Sequence, residues 1–197
     1  MQKTKLGLHL PTDPRWVNIA EMQIADILSD HAWCEQKAAT TCISIIVRFA
    51  QYSNVVAELS PIVAEEWGHF RKVLKELEKR NLTLALPRKD EYVNQLLKIE
   101  KKGGNLDHAI VEKLLIGALI EARSCERFRL LSLYIQDDYL KNFYREFMES
   151  EAGHYHTFIH LAKEILPSEY VMQRWQEYLT AEADIMKHLT YRGDRMH

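Results

Sequence analysis

This chain is poor in the residues that interrupt helices, with seven Gly and five Pro in 197 positions. Strong helix formers are abundant instead, so an all-α protein is expected. Cysteine is scarce as well. Cys34, Cys42 and Cys125 make no CxxC pair. That speaks against a thiolate metal site, and the odd count fits reduced thiols in the cytoplasm. Charge of one sign is also lacking. A formal net charge of -2 gives no global pull toward nucleic acid or membrane, but leaves room for a local basic patch. Long hydrophobic runs are absent. The longest uncharged apolar stretch, Ala38 to Val47, is too short to cross a bilayer. Met1-Gln2-Lys3-Thr4 is not followed by the apolar core of a secretory signal. A soluble cytoplasmic protein with no membrane partner is expected. Its 197 residues, 47% hydrophobic, suffice for a single domain over 1–197 with one sizeable core.

What is present is helical periodicity. Apolar positions three and four apart predict a helix over about Met22–Gln51, then a turn at Tyr52-Ser53-Asn54 and a second helix to about Arg80. Pro61 either kinks that helix or, as Ser60-Pro61, caps it. A long connection follows, holding a short helix over about Lys89–Lys102 and a break at Gly103-Gly104-Asn105. A third helix spans about Leu106–Tyr134. After Gln136-Asp137-Asp138 a fourth runs to about Ile165, where Pro167 stops it. A fifth covers about Ser168–Leu189, and a polar tail contains Arg192-Gly193-Asp194-Arg195. At the N-terminus, Asp13-Pro14 can open a short helix.

The organising feature is Glu66-Trp67-Gly68-His69 and its echo Glu151-Ala152-Gly153-His154. Each places a carboxylate and an imidazole three residues apart, hence on one helix face. Both residues of the second pair lie 85 positions after those of the first, and Glu121 lies 86 after Glu35. The chain therefore reads as two similar halves, each giving Glu and then Glu-x-x-His. Residues equidistant from a hairpin turn share a height. The midpoint between Glu35 and the first pair falls near 51, and that between Glu121 and the second near 137. Both coincide with turn signals. At about 1.5 Å per residue, each layer lies roughly 20 Å from its turn.

Two short hairpins joined by one long crossover make a ferritin-like four-helix bundle, core about 22–165, with extra N- and C-terminal helices. Four carboxylates and two imidazoles in such a bundle suit two metal ions. A single Glu-x-x-His arises easily by chance, but two in register, each with a matching upstream Glu, do not. If these were solvent-face charges they would lie opposite the apolar residues, whereas they fall within the apolar stripes. Buried carboxylates need a cation, and four of them balance two divalent ions. The donors suit iron or manganese, and iron is expected. The metal ligands are thus Glu35, Glu66, His69, Glu121, Glu151 and His154. Glu126 competes with Glu121 but lies about 140° off the stripe. Glu65 is either an edge-exposed glutamate or the acceptor for a ligand histidine's second N–H. His31, His108, His156 and His160 lack matching partners and read as surface or core histidines. Trp67 and Tyr155 read as packing residues.

Flanking residues carry a family resemblance. They are Leu10-Pro11-Thr12-Asp13-Pro14-Arg15-Trp16, Asp30-His31-Ala32 with Glu35, Glu58-Leu59-Ser60-Pro61 before Glu65-Glu66, Ile120 to Phe128, and Ser150-Glu151-Ala152-Gly153-His154. Over nearly its whole length the chain resembles the bacterial tRNA hydroxylases that act on 2-methylthio-N6-isopentenyladenosine. The resemblance implies a non-haem di-iron monooxygenase. It would use O2 and two external electrons to hydroxylate the isopentenyl group beside the anticodon of tRNA. No flavin or iron–sulfur motif is visible, so electrons would come from a partner such as a ferredoxin or reductase. An anticodon loop needs phosphate contacts, for which Arg71, Lys72, Lys75, Lys79, Arg80, Arg88 and Lys89 are candidates. For any one of them a solvated helix end fits as well. The rival readings are a ferritin-like iron oxidase, a rubrerythrin-like peroxidase and a metal-free structural bundle.

Overall fold

The structure, a computed structural model, describes residues 4–189 and 195–196. The chain start before Thr4 and the tail residues Arg192, Gly193 and Asp194 lie outside the described residues. Among the described residues there are seven helices and no strand: α1 (Trp16–Met22), α2 (Ile24–Arg48), α3 (Ser53–Lys79), α4 (Glu91–Leu96), α5 (Leu106–Tyr134), α6 (Asp138–Ile165) and α7 (Ser168–His188). No helix among them is long and apolar enough to cross a membrane. The chain divides into two compact units.

One unit comprises residues 14–89 with 195–196 and is built on the hairpin of α2 and α3. Its turn lies at residues 49–52, as the midpoint argument requires. The first long helix starts within two residues of its expected start at Met22, and the short N-terminal helix precedes it. Gln23, at φ -126° and ψ 41°, breaks the chain between α1 and α2. The short N-terminal helix begins at Trp16, two residues after Pro14. Ser60-Pro61 is not a cap. Pro61 sits exposed inside α3, and Ser60 turns its hydroxyl back onto the Val56 carbonyl at 2.6 Å. α3 ends because Asn81 adopts φ 55°. The Leu82 amide then donates to the Leu77 carbonyl at 2.9 Å, and that of Asn81 to Glu78 at 2.9 Å, closing the left-handed C-terminal motif.

The other unit comprises residues 4–13 and 90–189. Its hairpin, α5 with α6, turns at residues 135–137. Asp137 caps α6 by accepting from the amides of Tyr139 (2.9 Å) and Leu140 (3.1 Å), and Asn105 caps α5 by accepting from His108 at 3.1 Å. α5 is buried around most of its circumference, with Val111, Leu114, Leu115, Ala118 and Leu119 wholly enclosed, so it is the central helix of this unit. The predicted Lys89–Lys102 helix shortens to α4. Asp90 caps its start by accepting from Val93 at 3.1 Å, and the amides of Lys98 and Ile99 bond three residues back, tightening and ending it.

Two buried arginines fasten this unit. Arg174 on α7 forks onto Glu112 of α5 (Nε at 2.7 Å, Nη2 at 2.8 Å) and also reaches the Ile99 carbonyl at 2.8 Å. Arg123 on α5 donates to Glu182 of α7 (2.8 and 2.6 Å), to the Leu10 carbonyl and to the Thr12 hydroxyl (both 3.0 Å). Neither cluster was visible in the apolar stripes.

Candidate metal centre

In the first unit, α2 supplies Glu35 and α3 supplies Glu66 and His69. Each offers a ligand atom within 4.8 Å of the others'. His69 Nδ1 lies 3.3 Å from Glu35 and 3.7 Å from Glu66. The helical spacing accounts for this. Glu66 and His69 are one turn apart on the face of α3 that also carries Leu59, Ile62 and Val73, and Glu35 shares the α2 face of Leu28, Ala32 and Ala39. Glu35 and Glu66 are buried, and His69 is half-buried.

His31, expected to be a surface or core histidine, lies in the core beside this set. It is fully buried, with Nε2 2.7 Å from Glu35 Oε1. The hydrogen bond holds Glu35 in one orientation. The signal was available, because residues 31 and 35 are an i,i+4 pair on one stripe.

In the second unit, α5 supplies Glu121 and α6 supplies Glu151 and His154, again with ligand atoms within 4.8 Å of one another. All three are buried, and His154 Nδ1 is 3.5 Å from Glu151. α5 and α6 approach closely one turn from Glu121. A Cβ on Gly117 would meet the Phe158 ring at 3.2 Å, so glycine there admits the ring. Glu126 belongs elsewhere. It accepts from the Thr12 amide (3.1 Å), the Thr12 hydroxyl (2.7 Å) and Arg123, which ties the N-terminal segment to α5. Burial pushes the Glu182 carboxyl in the same cluster upward, with Arg123 pulling against it.

The chemistry of these donors fits a metal. Two carboxylates and one imidazole stand close together in each unit. Hard oxygen and borderline nitrogen donors without sulfur are those that iron and manganese take.

The whole chain, residues 1–197, matches the family described as tRNA-(MS[2]IO[6]A)-hydroxylase (MiaE). The chain belongs to the MiaE family. Among curated proteins it is similar to the tRNA 2-(methylsulfanyl)-N(6)-isopentenyladenosine(37) hydroxylase of Pseudomonas putida, at 33% identity over 155 residues, covering 79% of this chain and 74% of that one. The Salmonella typhimurium hydroxylase of the same name is 26% identical, covering 91% of this chain and 83% of its own. Among solved structures, a Synechococcus protein with aldehyde deformylating oxygenase activity superposes with a TM-score of 0.90 at 31% identity, over 96% of this chain and 94% of that one. The fold class expected from the sequence, all-α and ferritin-like, is the one found. This MiaE-family chain keeps a Glu and a Glu-x-x-His in each unit.

Glu65 is exposed on α3. Trp67 is half-exposed, its ring 5.0 Å from that of Phe70, and Tyr155 packs 5.8 Å from Trp175. His156 and His160 are exposed, and His108 is half-buried against Asn105 at 2.7 Å. Of the basic candidates, Arg71, Lys75, Lys79 and Lys89 are exposed. Arg80 is committed to Glu76 at 2.6 Å, and Arg88 pairs with Asp26.

Proposed function

We propose that this protein is an O2-dependent di-iron hydroxylase of tRNA, acting on the isopentenyl group of 2-methylthio-N6-isopentenyladenosine beside the anticodon. Its two iron ions are held by Glu35, Glu66, His69, Glu121, Glu151 and His154. One observation carries the reading: the same Glu and Glu-x-x-His set, buried but for the half-buried His69, occurs once in each unit of a MiaE-family chain. The whole chain is read as one functional domain, cytoplasmic, with its bundle core at about residues 22–165.

Iron, when bound, supplies O2 activation with two external electrons, so that one oxygen atom enters a C–H bond and the other leaves as water. The protein's own residues do the rest. Four carboxylates offset the charge of two divalent ions, as a dry interior requires. His31 fixes the Glu35 carboxylate by its hydrogen bond. Burial of Glu66, Glu121, Glu151 and His154 keeps water from the reacting centre. Arg71 and Lys75 on the exposed face of α3 are suited to the phosphates of the anticodon loop. Electrons come from a separate donor such as a ferredoxin or reductase.

The test is incubation of reduced, iron-loaded protein with prenylated tRNA and O2, followed by nucleoside analysis. The reading expects a product one oxygen heavier on the prenyl group, and clean iron oxidation without that product refutes it. The Synechococcus likeness favours a second reading, an oxygenase acting on aldehydes. The match of the full chain to the MiaE family weighs against it, and an aldehyde run in the same assay separates the two.

A further inference from the structure

The two donor sets match residue for residue, but they differ one helical turn away. Glu35 and Glu121 are counterparts, 86 positions apart. The residue four before each is its neighbour on the same helix face. Before Glu35 that residue is His31, and before Glu121 it is Gly117. The second helix of each hairpin reverses the bulk. Four residues past His69 stands Val73, and four past His154 stands Phe158, both buried. In each hairpin these positions are equidistant from the turn and share a level. The α2–α3 unit fills that level with an imidazole and a small valine. The α5–α6 unit fills it with a phenyl ring that tolerates only glycine opposite, since a Cβ on Gly117 would lie 3.2 Å from the ring.

The exchange is chemical as well as steric. His31 is wholly buried, and its Nε2 lies 2.7 Å from Glu35 Oε1. The other oxygen, Glu35 Oε2, is the one 3.3 Å from His69 Nδ1. Glu35 thus has one oxygen held by His31 and the other turned toward its fellow donor. Glycine has no side chain, and a phenyl ring has no hydrogen-bonding group of the kind an imidazole carries. The Gly117 position therefore cannot sort the oxygens of Glu121 as His31 sorts those of Glu35.

We propose that His31 is a positioning residue that makes the two iron positions inequivalent. It commits Glu35 to ligation through Oε2, so the ion of the α2–α3 unit meets a carboxylate already set for it. The ion of the α5–α6 unit draws no such help from the position of Gly117. Groups that orient a metal ligand in this way raise metal affinity. This assignment rests on the di-iron reading.

The experiment is anaerobic iron titration of the full chain with Mössbauer spectroscopy, using circular dichroism as the folding control. The wild type is expected to show two distinct ferrous environments. His154→Ala keeps the ion of the α2–α3 unit, and in that background His31→Leu is expected to weaken iron binding by about 10–100-fold. His69→Ala keeps the other ion, and there His31→Leu is expected to change nothing. His31→Gln, whose amide can still bond Glu35, recovers most of the loss, which a role in packing alone would not predict. A single ferrous environment in the wild type overturns the assignment. So does an effect of His31→Leu that is absent, or equal in the two backgrounds; in all these cases the di-iron reading still stands. If the wild type takes up fewer than two ions, the di-iron reading itself falls and takes the assignment with it.

Discussion

Arg174→Met is expected to cost about 3–5 kcal/mol of unfolding free energy at neutral pH. Glu112 is almost wholly buried and holds four hydrogen bonds, two from the Arg174 fork, one from Tyr178 Oη at 2.6 Å and one from the Lys101 amide at 2.8 Å. Removing the fork leaves a buried carboxylate with two neutral donors and no cation. The Arg174–Glu177 contact at 2.7 Å adds little, because Glu177 is exposed. The expected loss is a large share of the ~5–15 kcal/mol by which domains are usually stable. Replacing both partners, Glu112→Leu with Arg174→Met, is expected to recover most of it. The pH dependence has a definite sign. Burial pushes the Glu112 carboxyl up, but the bonds from Arg174, Tyr178 and Lys101 outweigh it and hold it below its ordinary value. Its contribution is thus complete above the ordinary carboxylate range and is lost as pH falls through the lowered folded value. The gap between wild type and Arg174→Met should narrow on acidification. Urea unfolding of the metal-free proteins, followed by circular dichroism from pH 7 downward, measures both effects. A cost below about 1 kcal/mol, or a gap that widens on acidification, refutes the reasoning.

Other outcomes follow from the same packing. Gly68→Ala and Gly153→Ala should each stabilise the metal-free protein by about 0.5–1 kcal/mol, since both lie mid-helix and a Cβ at either meets nothing within 4 Å; thermal unfolding checks this. Arg123→Met should destabilise by at least as much as Arg174→Met, because it strands two buried carboxylates, Glu126 and Glu182, rather than one; urea midpoints rank the pair. Cys125, with its thiol pushed up to about 12, should resist alkylation at pH 8 until the protein unfolds, whereas half-buried Cys34 reacts earlier; mass spectrometry of the labelled peptides distinguishes them.

The sequence disclosed the long helices well, because their apolar positions repeat with helical period and their ends carry turn chemistry. Leu106–Tyr134 and the end at Ile165 were legible from Asn105, Asp137 and Pro167 alone. The boundary at Gln23 falls within two residues of the expected start at Met22, although no Gly or Pro marks it. Asn81 could have been read as the left-handed residue ending α3, but Asn takes that conformation only sometimes. The Glu and Glu-x-x-His sets were legible because the same spacing repeats in both halves of the chain, which packing alone does not require. His31 has no counterpart in the second half, so only its place one turn before Glu35 marks it. The arginine clusters were hidden for another reason. Their partners are 59 and 62 positions apart in the chain, and no local period links such residues.

The most direct test of the account is iron content after anaerobic loading of the wild type, Glu121→Ala and Glu126→Gln. The account predicts two ions per chain in the wild type and in Glu126→Gln, and loss of the paired centre in Glu121→Ala. Full iron content in Glu121→Ala, or its loss in Glu126→Gln alone, would contradict it.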